Sequence, residues 1–356
     1  MTAPLLQLDD LTVRFRSGSA ALARLRGHPA TSLTAVDGVS IGVDRGASLG
    51  IVGESGCGKS TLAKALVGLV PVTSGSITFD GQLLTGRRDR STQRRLQMVF
   101  QDPSSALNPS RTVAQTLTEL LKVHRMVSAD RIGARTRELL DLVELPSSLL
   151  SAYPRRLSGG QRQRVGIARA LALNPDVLIA DESVAALDVS VQASVLNLMS
   201  RLRAELGITL LFISHDLAVV RHISERTVVM YLGRIVEDRP TRDIFTDPRH
   251  PYTAALLAAA PRLGTRKEPG SAALPGEPPA FGLVPPGCRF HPRCPQARDL
   301  CAIADPDLTG PAPSQRAACH FAWTAQDCGT YPDQSQPVPE VGPRRTGAAT
   351  IEEGPP

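Results

Sequence analysis

Short apolar runs alternate with turn residues over positions 5–90, and helical spacing then takes over. Strand-like runs occupy Leu5–Phe15, Ala35–Val43, Ser48–Val52 and Gly75–Phe79, separated by Asp-Gly and Ser-Gly pairs that favour tight turns. Residues 17–34 break this pattern with a Ser-, Ala- and Arg-rich stretch that reads as an exposed hairpin or loop. From 105 to 152 apolar positions recur at helical spacing with charges between them, predicting helices over Thr112–Val123 and Asp130–Leu145. Between 158 and 236 a helix over Arg162–Leu173 alternates with Val177–Ala180 and Thr209–Ser214, continuous apolar runs of the kind covered on both faces. That alternation predicts an α/β fold with a parallel core. After Pro261 the chain turns to Pro, Gly and Cys with little periodicity, and residues 331–356 are expected to be disordered. No internal repeat is visible, so one such unit is expected.

Composition narrows the class. With 42% hydrophobic and 21% charged residues over 356 positions, the chain has ample surface to bury a core. No run approaches the ~20 apolar residues that span a membrane. Met1–Phe15 lacks the basic head and apolar stretch of a secretion signal, so a cytoplasmic location is expected. The net charge of +6 reads as solvated surface and not as a nucleic-acid footprint, because 4% aromatic residues leave few base-stacking platforms.

The strongest chemical signal is the run Gly53-Glu54-Ser55-Gly56-Cys57-Gly58-Lys59-Ser60-Thr61, set between the strand-like Ser48–Val52 and the helical Leu62–Val67. Glycines let such a loop aim successive N–H groups at one anion, and the helix N-terminus adds its positive end. Lys59 would reach the β/γ-phosphates of a nucleotide and Ser60 would hold Mg²⁺. Lysine is rare here, with only 59, 64, 122 and 267 among 40 basic residues, so a flexible point charge at 59 is a meaningful choice. Asp181 and Glu182 close the apolar run Val177–Ala180. A carboxylate there suits an outer Mg²⁺ ligand, and Glu182 beside it suits polarisation of an attacking water. Leu157-Ser158-Gly159-Gly160-Gln161 opens a second helix with another anion-binding end.

In order along the chain stand the Walker A loop at 53–61, Gln101 in Val99-Phe100-Gln101-Asp102-Pro103, LSGGQ at 157–161, Asp181-Glu182, Leu187-Asp188 and Ser214-His215-Asp216. This set resembles the nucleotide-binding domain of ABC transporters. The resemblance implies a P-loop cassette over residues 5–260 with a RecA-like parallel core, an antiparallel β subdomain and a helical subdomain at about 105–155. It implies ATP and Mg²⁺ as ligands, and head-to-tail pairing with a second ATPase subunit, a heterodimer or a homodimer. ATP on one Walker A loop would then face Ser158, Gly159, Gly160 and Gln161 of the other. By position, Phe15 would stack on adenine, and Gln101 would contact Mg²⁺ and the attacking water. Glu182 would be the general base, His215 the γ-phosphate switch, and Asp188 an organiser of the dimer interface. Three departures stand out: Ser183 where Pro usually follows Asp-Glu, Ala185-Ala186 before Leu187-Asp188, and Arg155-Arg156 ahead of the signature.

His250-Pro251-Tyr252-Thr253, Leu274-Pro275-Gly276-Glu277-Pro278-Pro279 and Gly287-Cys288-Arg289-Phe290-His291-Pro292-Arg293-Cys294-Pro295 resemble the C-terminal extension, here 261–330, of oligopeptide and dipeptide importer ATPases. The Gly-Cys-Gly-Lys-Ser-Thr loop and the 17–34 insertion resemble the second of the two ATPases in such systems. This implies an energy-coupling ATPase peripheral to the cytoplasmic face of the membrane. Its partners would be two transmembrane permease subunits and, indirectly, an extracytoplasmic solute-binding protein, with no nucleic acid. The rival is a soluble ABC ATPase acting on DNA or the ribosome. A single cassette without long coiled-coil insertions speaks against it.

Cys288, Cys294, Cys301 and Cys319 fall in a Pro-rich segment too poor in aliphatics for a large core, where a staple is needed. The spacing C-x5-C-x6-C-x17-C lacks the C-x2-C pairs of zinc sites, and cytosol disfavours disulfides. Four thiolates suit a 4Fe–4S cluster, as the family resemblance also implies. Zinc and metal-free thiols remain the alternatives. Cys57 and Cys328 are read as bystanders.

Overall fold

The computed structural model describes residues 3–16, 32–101, 107–185, 187–259, 279 and 283–322. Of the expected 17–34 insertion, 17–31 lie outside the described residues, as do Ala186, Cys328 and the 331–356 tail, while 32–34 already belong to a strand.

Strands β1 (Leu6–Arg16), β2 (Ser32–Val43), β4 (Ser74–Phe79) and β5 (Gln82–Leu83) form an antiparallel sheet in the order β2-β1-β4-β5. The remaining strands are β3 (Ser48–Val52), β6 (Leu96–Val99), β7 (Val177–Asp181), β8 (Thr209–Ser214), β9 (Arg226–Tyr231), β10 (Arg234–Pro240), β11 (Thr309–Ala312) and β12 (Gln315–Ala317). They build one sheet in the order β11-β12-β10-β9-β3-β8-β7-β6, parallel from β9 to β6 and antiparallel beyond β9. Strands β6, β9 and β10 complete the sheet beyond the runs expected from the pattern, and β11 and β12 come from the C-terminal segment.

Period-two alternation sends neighbouring strand residues to opposite cores. Ile51, Ile179, Ile213 and Met230 pack with helix α1 (Lys59–Leu66) and the antiparallel sheet. Val52, Leu178, Phe212 and Val229 face the core that helices α2 (Val113–Val123), α3 (Ile132–Leu142), α4 (Gly159–Leu171), α5 (Val189–Leu206) and α6 (Leu217–Ile223) cover from the other side. Helix α3 is shorter than the predicted 130–145. A 3₁₀ turn at Ala129–Arg131 precedes it, and Glu144 turns left-handed at φ 56° after it, its carboxylate held by Arg164 and Arg201.

The C-terminal segment is welded to this sheet. An isolated two-stranded hairpin is marginal in water, and β11–β12 gains its support by pairing β12 with β10 through Glu237↔Ala317 and Asp238↔Arg316. The fully buried Asp238 carboxylate takes a bidentate pair from Arg226 at 2.7 Å and a third bond from Arg316 at 2.6 Å. Breaking such a buried set by removing one partner costs about 3–5 kcal/mol.

Candidate active site

Strand β3 ends at Val52 and the loop 53–58 runs straight into α1. A Cβ on Gly53 would lie 2.2 Å from the Met230 carbonyl oxygen, so only glycine lets β9 and the loop approach so closely. Gly58 takes φ 108° just before α1, and a Cβ there would meet the Ala35 carbonyl oxygen at 2.1 Å. Lys59 is 3% exposed, and its ammonium donates to the carbonyls of Gly53 at 2.8 Å and Glu54 at 3.0 Å. Neutral carbonyls hold the ammonium over the loop without a direct ion pair, where it can meet an anion. Cys57 fills the loop interior, where burial pushes its thiol up against the opposing pull of Lys59.

At the facing strand ends, Ser60 Oγ donates to Asp181 Oδ1 at 2.9 Å. Burial pushes the Asp181 carboxyl above the ordinary range, and the Ser60 hydrogen bond pulls against it. A hydroxyl and a carboxylate at this spot are the hard oxygen donors that Mg²⁺ prefers, so the residues fit the ion. Glu182 sits at φ 44°, a left-handed conformation that costs a non-glycine residue on the order of 1–3 kcal/mol. Its carboxylate accepts from Gln101 Nε2 at 2.7 Å and lies 3.4 Å from His215 Nδ1. The cleft, about 240 Å³, is lined by Ser55, Gly56, Gly58, Lys59, Ser60, Thr61, Gln101 and Glu182. Four sequence segments thus converge: the loop, Gln101 just past β6, Asp181 and Glu182 at the end of β7, and His215 after β8.

Other expected site residues stand elsewhere. Among the described residues lining the cleft, Phe15, Asp188 and the 158–161 run do not occur. Phe15 is 40% exposed near the end of β1. Ser158 caps α4 through a capping box, its Oγ accepting from the Gln161 N–H at 3.2 Å while Gln161 Oε1 accepts from the Ser158 N–H at 2.9 Å. Gly160 packs on Val191, whose Cγ1 would be 2.4 Å from any Cβ there. Asp188 caps α5, accepting from the Val191 N–H at 3.0 Å and the Ser190 hydroxyl at 2.7 Å. Those bonds hold its carboxyl below the ordinary range. The Ser183 hydroxyl, where proline is usual, is buried with no hydrogen-bond partner among the described residues.

Glu54 faces away from the cleft. Its carboxylate is gripped by Arg293 and its N–H donates to the Tyr252 hydroxyl at 2.9 Å. Neither partner is legible as a site residue from the sequence, beyond lying in the His250-Pro251-Tyr252 and Cys288–Cys294 motifs. Nearby, Cys288, Cys294, Cys301 and Cys319 line one small, nearly filled pocket with His250, His291 and His320. All four are free thiols. Burial pushes the Cys288 thiol up to about 11 against the Phe290 N–H, with the neighbouring cysteines adding to the rise. Among the described residues no group of three or more His, Cys, Asp or Glu is arranged to ligate one ion.

Residues 36–185 match the ABC transporter family and 236–301 the oligopeptide/dipeptide transporter C-terminal region. The chain is 45% identical over 326 residues to the oligopeptide transport ATP-binding protein AppF of Bacillus subtilis, covering 89% of this chain and 97% of that protein. It belongs to the ABC transporter ATP-binding proteins. A probable peptide ABC transporter ATP-binding protein, y4tS of Sinorhizobium fredii, is 51% identical over 290 residues, 80% of this chain and 82% of its own length. Among solved structures, the ATP-binding cassette MJ0796 in a dimeric post-hydrolysis state with ADP and Pi matches with a TM-score of 0.56 and 29% identity, over 65% of this chain and 96% of that one. The cbiO1 subunit of Clostridium perfringens matches with a TM-score of 0.59 and 28% identity, over 69% of this ABC protein and 92% of that chain. The fold is therefore the ABC cassette, and the chain is an ABC-type ATPase.

Proposed function

We propose that this cassette is the energy-coupling subunit of an ABC importer of the oligopeptide and dipeptide class, hydrolysing ATP to drive transport through separate membrane subunits. The observation that carries the reading is the convergence of Lys59, the Ser60–Asp181 pair, Gln101 and Glu182 on one cleft. Loop N–H groups and Lys59 would bind the β/γ-phosphates, Lys59 exchanging its carbonyl partners for phosphate oxygens. Ser60 and Asp181 would hold Mg²⁺, which supplies charge neutralisation on the phosphates. Glu182 would take the proton of the attacking water, oriented by Gln101 and His215. Ser158–Gln161 caps α4 away from this cleft, with Ser158 exposed, which supports a site completed by a second cassette, identical or not. On this reading Phe15 takes the adenine face and Asp188 stands at the dimer interface.

No described helix is long and apolar enough to cross a membrane. Two transmembrane permease subunits and an extracytoplasmic solute-binding protein complete the proposed importer, and the chain works peripherally at the cytoplasmic face. The four-thiol pocket is read as the place for a 4Fe–4S cluster, supported by the convergence of Cys288, Cys294, Cys301 and Cys319 on one pocket.

A gentle anaerobic pull-down of the tagged chain from native membranes tests both readings. Recovery of a second ATPase with multi-span subunits, and of iron with acid-labile sulfide, is expected. Soluble or nucleic-acid-bound partners alone would overturn the transport reading. Iron-free preparations would overturn the cluster.

A further inference from the structure

Every polar group of Glu54, the second residue of the phosphate loop, is committed. Its carbonyl accepts from Lys59 at 3.0 Å, its N–H donates to Tyr252 at 2.9 Å, and its carboxylate takes both Arg293 terminal nitrogens at 2.8 and 3.0 Å. One of the three groups is therefore held from the C-terminal extension by Arg293, and another by Tyr252 in the helix Pro251–Ala259 that leads into it. Arg293 is built to hold still. Its side chain is 5% exposed, and its guanidinium lies 5.8 Å from the Tyr231 ring centre and 5.9 Å from that of Phe290. The same rings pack with Tyr252, at 4.6 Å from Tyr231 and 5.4 Å from Phe290. Behind Tyr252, burial pushes His250 down to about 3, so its neutral Nδ1 accepts the Tyr252 N–H at 3.0 Å.

A second tie runs in parallel. Buried Arg289 donates to the Leu232 carbonyl and to Asp37. The adjoining Gly233 donates its N–H to the Cys57 carbonyl at 2.9 Å and accepts from the Asp37 N–H at 2.9 Å. One short segment, bounded by Cys288 and Cys294, thus braces the phosphate loop at residue 54 directly and at residue 57 through a turn.

We propose that Arg293 is a positioning residue for nucleotide binding, and that the C-terminal extension sets the affinity of the phosphate loop for ATP. The proposal rests on reading that loop as the ATP phosphate site. A bidentate fork fixes both the place and the plane of the Glu54 carboxylate, and hence the path of the backbone that carries the phosphate-binding N–H groups. Arg293 touches no phosphate itself, so it acts on binding and leaves the Glu182 step alone.

The test is ATP titration and steady-state hydrolysis on the full chain carrying Arg293→Ala, Arg293→Lys, Glu54→Gln and the double variant Glu54→Gln/Arg293→Ala. Arg293→Ala should raise Kd and KM for ATP about tenfold, with kcat at saturation nearly unchanged. Lysine should restore part of the loss, since a single ammonium cannot make both bonds. The double variant should be no worse than the worse single one. Glu54→Gln, a one-atom change, carries the test if Arg293→Ala does not fold. A wild-type Kd and KM in the variants, with only a lowered Tm, would overturn the positioning role. Failure of the wild type itself to bind ATP would overturn the ATP reading beneath it.

Discussion

Two adjacent carboxylates, Asp181 and Glu182, occupy opposite environments within one turn of chain. Asp181 ends β7 with its carboxylate buried against the Ser60 hydroxyl, where an incoming cation relieves it. Glu182 is thrown into a left-handed conformation that turns its carboxylate into the cleft toward Gln101 and His215. On the proposed reading, the contrast separates a metal-holding role from a proton-accepting one. Glu182→Gln keeps the shape and the Gln101 contact geometry but cannot take a proton. Its steady-state hydrolysis should fall by roughly 10²- to 10⁴-fold while ATP still binds. Phosphate release at the wild-type rate from that variant would exclude Glu182 as the base.

The elements that carry chemistry were largely legible, because each is a local pattern: an apolar strand, then glycines, then a helix. Ser48–Val52 precedes the loop as the pattern implied, and the helix expected over Leu62–Val67 follows it, starting three residues earlier at Lys59 and ending at Leu66. Less legible was what joins distant segments. β9 reads Arg226–Tyr231 as one more apolar run, and only the register with β3 shows that its Met230 carbonyl walls the phosphate loop. The C-terminal segment has no periodicity to read, since turns, a hairpin and side-chain ion pairs hold it. Arg293 and Tyr252 sit 239 and 198 residues from Glu54, a distance no local pattern encodes. The docking of that segment has a pH signature. Burial alone would push the Asp37 carboxyl up, but Arg289 and Arg234 outweigh it and hold it below the ordinary carboxylate range. A depressed folded value means that the stabilisation is complete above the unfolded carboxyl range and lost as pH falls through the folded value. Asp37→Asn should therefore lower Tm at neutral pH and flatten its decline on acidification. Melting curves from pH 7 to 3 (roughly the span of ordinary carboxyl titration) read this directly, and an unchanged acid slope would contradict it.

At the scale of the whole molecule, the parallel core of the cassette and its extension share one sheet of eight strands, beside the four-stranded antiparallel sheet. The extension is sewn in by β12, by Arg316 on Asp238 and by Arg293 on Glu54. One chain presents a phosphate loop facing the Glu182 carboxylate, and a separate capped helix end at Ser158. That division of parts makes the isolated chain half of a working unit on the proposed reading. It also explains why a peptide-import role depends on partners that pair with it and span the membrane. The most direct measurement is ATP-dependent uptake of a labelled peptide by membrane vesicles holding the complete complex, with either the wild-type chain or Glu182→Gln. The account predicts uptake with the wild type and its loss with Glu182→Gln in complexes that assemble equally well. Equal uptake with the variant, or no peptide uptake with an ATP-hydrolysing wild type, would contradict it.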